Sequence, residues 1–101
     1  MDAEMAAELA DVQRQLLGAP PEVVVANHAF GLFQLAALHL SQEKPDFAAA
    51  RLAVDAMGAL VEGLAGRLGD VEAELADGLA QIRLAFVQVQ SGRRPSEGDA
   101  P

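Results

Sequence analysis

Two histidines are the residues of this sequence best suited to bind a metal ion. His28 and His39 are eleven residues apart, so in one helix they share a face but lie about 16 Å apart along its axis. One helix cannot bring both to a single ion, whereas a symmetric antiparallel pair of chains could place His28 near the His39 of another copy. No Cys, HExxH or ExxH motif accompanies them. We expect backbone, carboxylate or water to satisfy both, and predict no metal ion and no cofactor.

A second candidate site is a charged stripe in which Arg51, Asp55 and Glu62 recur at helical spacing. Carboxylates beside a cation can serve as general acid and base, but such a stripe is more often a solvated surface whose pairs contribute little. We expect Arg83 to pair with an acid such as Asp55, across helices or across a dimer. There is no Tyr, no Ser beside a base and no glycine-rich phosphate loop. The sequence therefore predicts no catalytic residue and no enzyme.

The composition excludes further classes of function. The 101 residues carry a formal net charge of −8, which opposes binding to a phosphate backbone because that binding depends on Lys and Arg. We therefore predict no nucleic-acid partner. The absence of Cys excludes a disulfide framework. Residues 1–10 contain Asp2, Glu4 and Glu8 in place of a basic stretch followed by an apolar one, so no secretory signal is expected and a cytoplasmic location is predicted.

The elements that position these residues are all predicted to be helices. The first covers about residues 3–17, and its apolar residues recur at alternating spacings of four and three, which line one narrow face: Met5, Leu9, Val12 and Leu16. Gly18, Pro20 and Pro21 end it. We interpret it as an accessory helix that could bind a protein partner.

The second helix, about residues 21–40, is the most apolar segment. Apolar residues fill a face about 160° wide and continue onto the opposite, more polar side. A small domain has too little protein to cover both sides, so we predict burial against another copy of the chain. The predicted interface consists of Val24, Phe30, Phe33, Leu35 and Leu38. A membrane span is not predicted, because the apolar run is near the lower length limit and contains two His, an Asn and a Gln.

The third and fourth helices carry core stripes. The third begins at Pro45 and Asp46 and is predicted to reach about Leu68, although three glycines weaken its last turns. Asp70 is predicted to cap the fourth, which continues to about Gln90. The residues predicted to face the core are Ala50, Val54, Met57, Val61, Leu64 and Leu68 in the third helix and Leu75, Leu79, Ile82, Phe86 and Val89 in the fourth.

Residues 20–90 resemble the bacterial family known as domain of unknown function 1844. The stretch PPEVVVANHAFGLFQLAALHL is similar to the family's first helix, DFAAARLAVDAMGALVEGL to its middle segment, and LADGLAQIRLAFVQ to its closing helix. The chain differs in having Leu40 and Ser41 where the family often has Leu-Gly, and its inter-helix loop is shorter. The resemblance implies a small helical protein with no assigned reaction.

Together these observations predict an all-α protein, a small antiparallel bundle of three to four helices completed by oligomerisation. Residues 1–18 form the accessory helix, 19–90 the helical domain and 91–101 a disordered tail. The predicted function is that of a non-catalytic, homodimeric protein-interaction module. The alternative is a protein that binds a small ligand or a metal ion, or an enzyme, with an intersubunit site around His28 and His39.

Overall fold

Four α-helices account for most of the chain in the computed structural model, which describes residues 2–92. They are α1 (Ala3–Gly18), α2 (Pro21–Leu40), α3 (Phe47–Gly63) and α4 (Glu72–Gln90), and a short 3-10 helix, Gly69–Val71, precedes α4. No strand occurs within these residues, so the all-α prediction is confirmed. Most of the predicted tail, residues 93–101, lies outside the described residues.

Local chemistry explains where three of the helices begin. The Asp2 carboxylate accepts a hydrogen bond from the Met5 amide at 2.7 Å, and Asp46 accepts one from the Ala49 amide at 3.0 Å. Each carboxylate thus satisfies a first-turn N–H that has no partner within the helix. In α2, Pro21 occupies the first helical position, where its missing N–H removes no helical hydrogen bond.

The third helix is shorter than the sequence predicts. It ends at Gly63 rather than Leu68, because Gly66 adopts φ = +82° and Gly69 φ = +73°, which a right-handed helix does not allow. The predicted cap at Asp70 is also wrong. Asp70 lies within the 3-10 helix, and α4 begins without a side-chain cap.

The core lies between α2, α3 and α4, which pack against one another as a bundle. The loops that join α2 to α3 and α3 to α4 are short, and this makes these three helices antiparallel neighbours. The predicted core faces are largely correct, although Leu64, Phe86 and Val89 are only partly buried. The buried residues are Ala26, Ala29, Ala36 and Leu40 from α2, Ala50, Ala53, Val54, Met57 and Val61 from α3, Leu68, and Leu75, Leu79 and Ile82 from α4.

The first helix stands apart from this core. None of its residues is buried, and no other helix packs along it within the described part of the chain. Its apolar stripe is half exposed along its whole length, from 53% at Met5 to 56% at Leu16.

The core assignment is tested by truncating one buried and one exposed leucine of α4. Leu75 is fully buried and Leu84 is 58% exposed. Leu75→Ala should lower the free energy of unfolding by about 2–5 kcal/mol, because it removes buried methyl groups and leaves a cavity. Leu84→Ala should change it by less than about 0.5 kcal/mol. Urea denaturation followed by circular dichroism measures both, and equal losses would contradict the packing described above.

Candidate functional site

The two histidines have different surroundings. His28 is exposed, and its ring Nδ1 lies 2.8 Å from the Val24 carbonyl oxygen one turn earlier. Since a carbonyl can only accept, Nδ1 is the donor in this hydrogen bond. His39 is half-buried near the end of α2. No cluster of three or more His, Asp or Glu side chains that could hold a metal ion occurs in residues 2–92. Within residues 2–92 of one copy, no such cluster therefore completes a site around either histidine.

The charged stripe resolves into two separate ion pairs. Arg83 of α4 donates to both carboxylate oxygens of Glu62 in α3, at 2.9 and 3.0 Å. Arg83 thus pairs with an acid across helices, as predicted, but that acid is Glu62 rather than Asp55, which lies 3.7 Å from Arg51. Hydrogen bonding from Arg83, reinforced by its charge, lowers the pKa of the Glu62 carboxyl. Each of these carboxylates thus has a cation beside it.

A glycine in α3 makes room for the Arg83 and Glu62 pair. A Cβ atom added to Gly58 would lie 2.6 Å from Nη2 of Arg83, too close for two non-bonded atoms. The arginine therefore lies across α3 at Gly58, where that helix has no side chain in its way. The pair joins α3 to α4 at the surface, and its geometry is that of a bidentate structural ion pair.

The sequence did not predict a carboxylate that binds the loop between α3 and α4. Glu72, the first residue of α4, accepts hydrogen bonds from the amides of Gly66 at 2.9 Å and Leu68 at 3.0 Å. These bonds, with a smaller contribution from the Arg67 amide, lower the pKa of the Glu72 carboxyl. Successive backbone amides of this kind form an anion-binding nest, which the chain fills with its own carboxylate. The sequence feature that could have indicated this interaction is an acid that follows closely after Gly66 and Gly69.

The outer face of α2 is an apolar surface that no other part of residues 2–92 covers. Leu35 is 43% and Leu38 58% exposed, Val24 is half-buried, and nothing lies within 4 Å of a Cβ built on Gly31. We call Val24, Gly31, Leu35 and Leu38 the α2 stripe. At 100° per residue they fall on the side of α2 opposite its buried alanines.

The two phenylalanines predicted at the interface lie elsewhere on α2. Phe30 and Phe33 are half-buried and pack against the core. The Phe33 ring approaches α4 at Gly78, where an added Cβ would be 3.6 Å from it. Their surface is already in use within the bundle, so they offer less to a partner than Val24, Leu35 and Leu38 do.

The apolar stripe of α1 continues into that of α2. Leu16 and Leu17 at the end of α1 line an open groove together with Pro21, Val24 and Val25 at the beginning of α2. The two helices therefore direct their apolar residues toward the same side at their junction. We call Met5, Leu9, Val12 and Leu16 the α1 stripe.

Comparisons with known proteins returned no match to a family model, to a curated protein or to a solved structure. The resemblance to the domain of unknown function 1844 family accordingly stays a prediction. Within the described residues, one helix is long and apolar enough to cross a membrane, namely α2, with a mean hydropathy of 1.5.

The structural role of Glu72 predicts a dependence of stability on pH. Its pKa is lower in the folded chain, so its contribution is fully present above the unfolded pKa of about 4.3 and is lost as the pH falls through the folded value. Glu72→Gln should therefore be less stable than the parent at pH 7, and the difference should shrink below about pH 4. Thermal unfolding between pH 2.5 and 7 measures this.

The matched control is Glu74→Gln, which changes an exposed acid in the same first turn. It should follow the parent chain across the whole pH range. A constant difference between Glu72→Gln and the parent at every pH would show that the nest does not bind the carboxylate.

The histidines are tested by metal titration. Since the part of the chain that the structure describes holds no cluster of metal ligands around them, the parent chain and a variant with both His28 and His39 replaced by Ala should bind zinc equally weakly by calorimetry. Tighter binding by the parent, lost in the variant, would establish an intersubunit metal site and contradict the structural interpretation of both residues.

Proposed function

We propose that this chain is a non-catalytic helical module that acts by binding protein, in the first place a second copy of itself. The observation that carries the proposal is the pair of uncovered apolar stripes on α1 and α2. Leucines, valines and a methionine recur there at helical spacing, and the residues of the α1 stripe and the two leucines of the α2 stripe have 43–58% of their surface in water. Contiguous exposed apolar patches mark sites of protein interaction, whereas single scattered apolar residues are normal on a protein surface.

A protein partner fits the α2 stripe better than lipid does. Asn27, His28 and Gln34 border this exposed side of α2, and such residues are costly in hydrocarbon without partners. The opposite side of α2 is committed to α3 and α4 through Ala26, Ala29 and other buried residues. A helix packed in this way would have to leave its core to cross a membrane. The proposal therefore includes a cytoplasmic protein without a membrane partner.

The ionised side chains also support an interaction module. Arg83 and Glu62 bind each other, and the Glu72 carboxylate is held by backbone amides. The groups whose pKa is shifted have structural partners, whereas a catalytic acid or base needs access to a reacting proton. The remaining acids give the surface a negative charge, which favours partners with basic surfaces.

The proposal predicts a dimer mass in solution. Multi-angle light scattering at low micromolar concentration should give about twice the 10.5 kDa of one chain. Leu38→Glu should shift the mass to that of the monomer, because a buried unpaired carboxylate costs several kcal/mol at an interface.

The matched control for this experiment is Leu52→Glu. Leu52 is 73% exposed and lies on α3, away from both stripes, so its replacement should leave the dimer intact. A monomer mass for the parent chain at these concentrations would overturn the proposed function. A dimer disrupted by Leu52→Glu and not by Leu38→Glu would place the interface on another face.

A further inference from the structure

The linker between α1 and α2 prevents α1 from covering its own bundle. It consists of Ala19 and Pro20, with φ and ψ of −85° and 143° and of −59° and 129°. Each of these residues precedes a proline, which disfavours the helical region of φ and ψ and favours extended backbone. The ring of Pro20 also fixes its own φ. A tight helical hairpin needs residues that reverse the chain, so this linker holds α1 away from α2.

The dimensions agree with an extended arrangement of the two helices. At 1.5 Å per residue, α1 and α2 are about 24 and 30 Å long, and the two-residue linker adds about 6 Å. The longest dimension of the structure is 61 Å, about the sum of the three. The α1 and α2 stripes therefore follow one another along a rod, and they face the same groove at the junction.

The two stripes match each other in spacing. When α1 of one copy runs antiparallel to α2 of another, with Val12 opposite Gly31, Met5 falls opposite Leu38 and Leu9 close to Leu35. The side chain of Val12 then meets the open space above Gly31, which lets two helices approach closely. The same alignment brings Leu16 toward Val24.

Helix dipoles and charge favour the antiparallel direction. The acids Asp2 and Glu4 lie at the beginning of α1, and Lys44, next to Glu43, lies just beyond the end of α2. In the antiparallel arrangement the two helix dipoles oppose each other favourably, and Asp2 and Glu4 approach Lys44. In a parallel arrangement the same acids would lie beside Glu22 at the beginning of α2. Opposite charges across an interface fix orientation in this way.

We propose that α1 of each copy docks on the α2 stripe of the other, so that two chains exchange their first helices across a two-fold axis beside Pro21 and Glu22. This inference rests on the proposed function and specifies its interface. In this register the numbers of two facing residues sum to 43, as for Val12 and Gly31. The contact of α1 with the partner's α2 occurs twice, once for each chain, and the same sum holds in both contacts, as a two-fold axis requires. Each three-helix bundle thereby gains a fourth helix.

Other occupants of the stripes are less well matched. Two α1 helices paired with each other would span only about two heptads, too short for a stable coiled coil, and would leave both α2 stripes in water. Two α2 helices crossing at Gly31 would leave both α1 stripes in water. Only the exchange covers both stripes of both chains.

The test uses cysteine pairs, because the parent chain contains no Cys. Chains carrying Val12→Cys and chains carrying Gly31→Cys are mixed, allowed to exchange and oxidised, and the products are separated on a non-reducing gel. Met5→Cys with Leu38→Cys repeats the test at the other end of the stripe. We expect covalent dimers from each mixture, and at least five-fold less from any single variant alone.

Each alternative gives its own result and overturns the exchange. Dimers from Val12→Cys alone indicate pairing of α1 with α1, and dimers from Gly31→Cys alone indicate pairing of α2 with α2. One chain carrying both Val12→Cys and Gly31→Cys should also form interchain dimers, and a fast-migrating monomer instead would show that α1 folds back. No cross-link in either mixture, with a dimer mass by light scattering, would refute the exchange and leave the proposed dimer standing. A monomer mass for the parent would remove both.

Discussion

The apolar circumference of α2 is the constraint on which the rest of this structure depends. Three of its buried positions are alanines, Ala26, Ala29 and Ala36, and such small side chains allow the neighbouring helices to approach closely. A close-packed bundle of three short helices covers one side of α2 and no more. On the other side Leu35 and Leu38 are exposed and Val24 is half-buried, and burying apolar surface contributes about 25 cal/mol for each Å². A further helix packed on that side would bury this apolar surface.

The charged groups fix the bundle rather than form a reactive site. Glu72 holds the loop that follows α3 through the amides of Gly66 and Leu68, and so sets where α4 begins. Arg83 then ties α4 back to α3 at Glu62, above the gap left by Gly58. Both interactions use a carboxylate to satisfy donors within the chain. Among residues 2–92 the apolar stripes of α1 and α2 stay uncovered, which is why the proposed function is binding rather than catalysis.

Much of the fold could be predicted from periodicity and helix breakers, whereas contacts between helices could not. The bounds of α2 and the core positions of α4 follow from apolar spacing, and the prolines and Asp46 mark where helices begin. The end of α3 was misjudged because its apolar stripe continues past the glycines that reverse the backbone. The particular acid that binds Arg83 could not be predicted either, since Asp55 and Glu62 lie about two turns apart on one face of α3, and the choice between them depends on how far α3 and α4 slide past each other.

The central claim is that α1 requires a second copy of the chain to be stable. A helix of 16 residues along which no other helix of residues 2–92 packs is marginal in water, so its amide protons should exchange quickly in the monomer. The most direct test is hydrogen exchange of α1 amides as a function of protein concentration. Protection of α1 that rises with concentration, with α3 protected throughout, is the predicted result. Protection of α1 that is absent, or the same, at all concentrations across the monomer–dimer transition would contradict it.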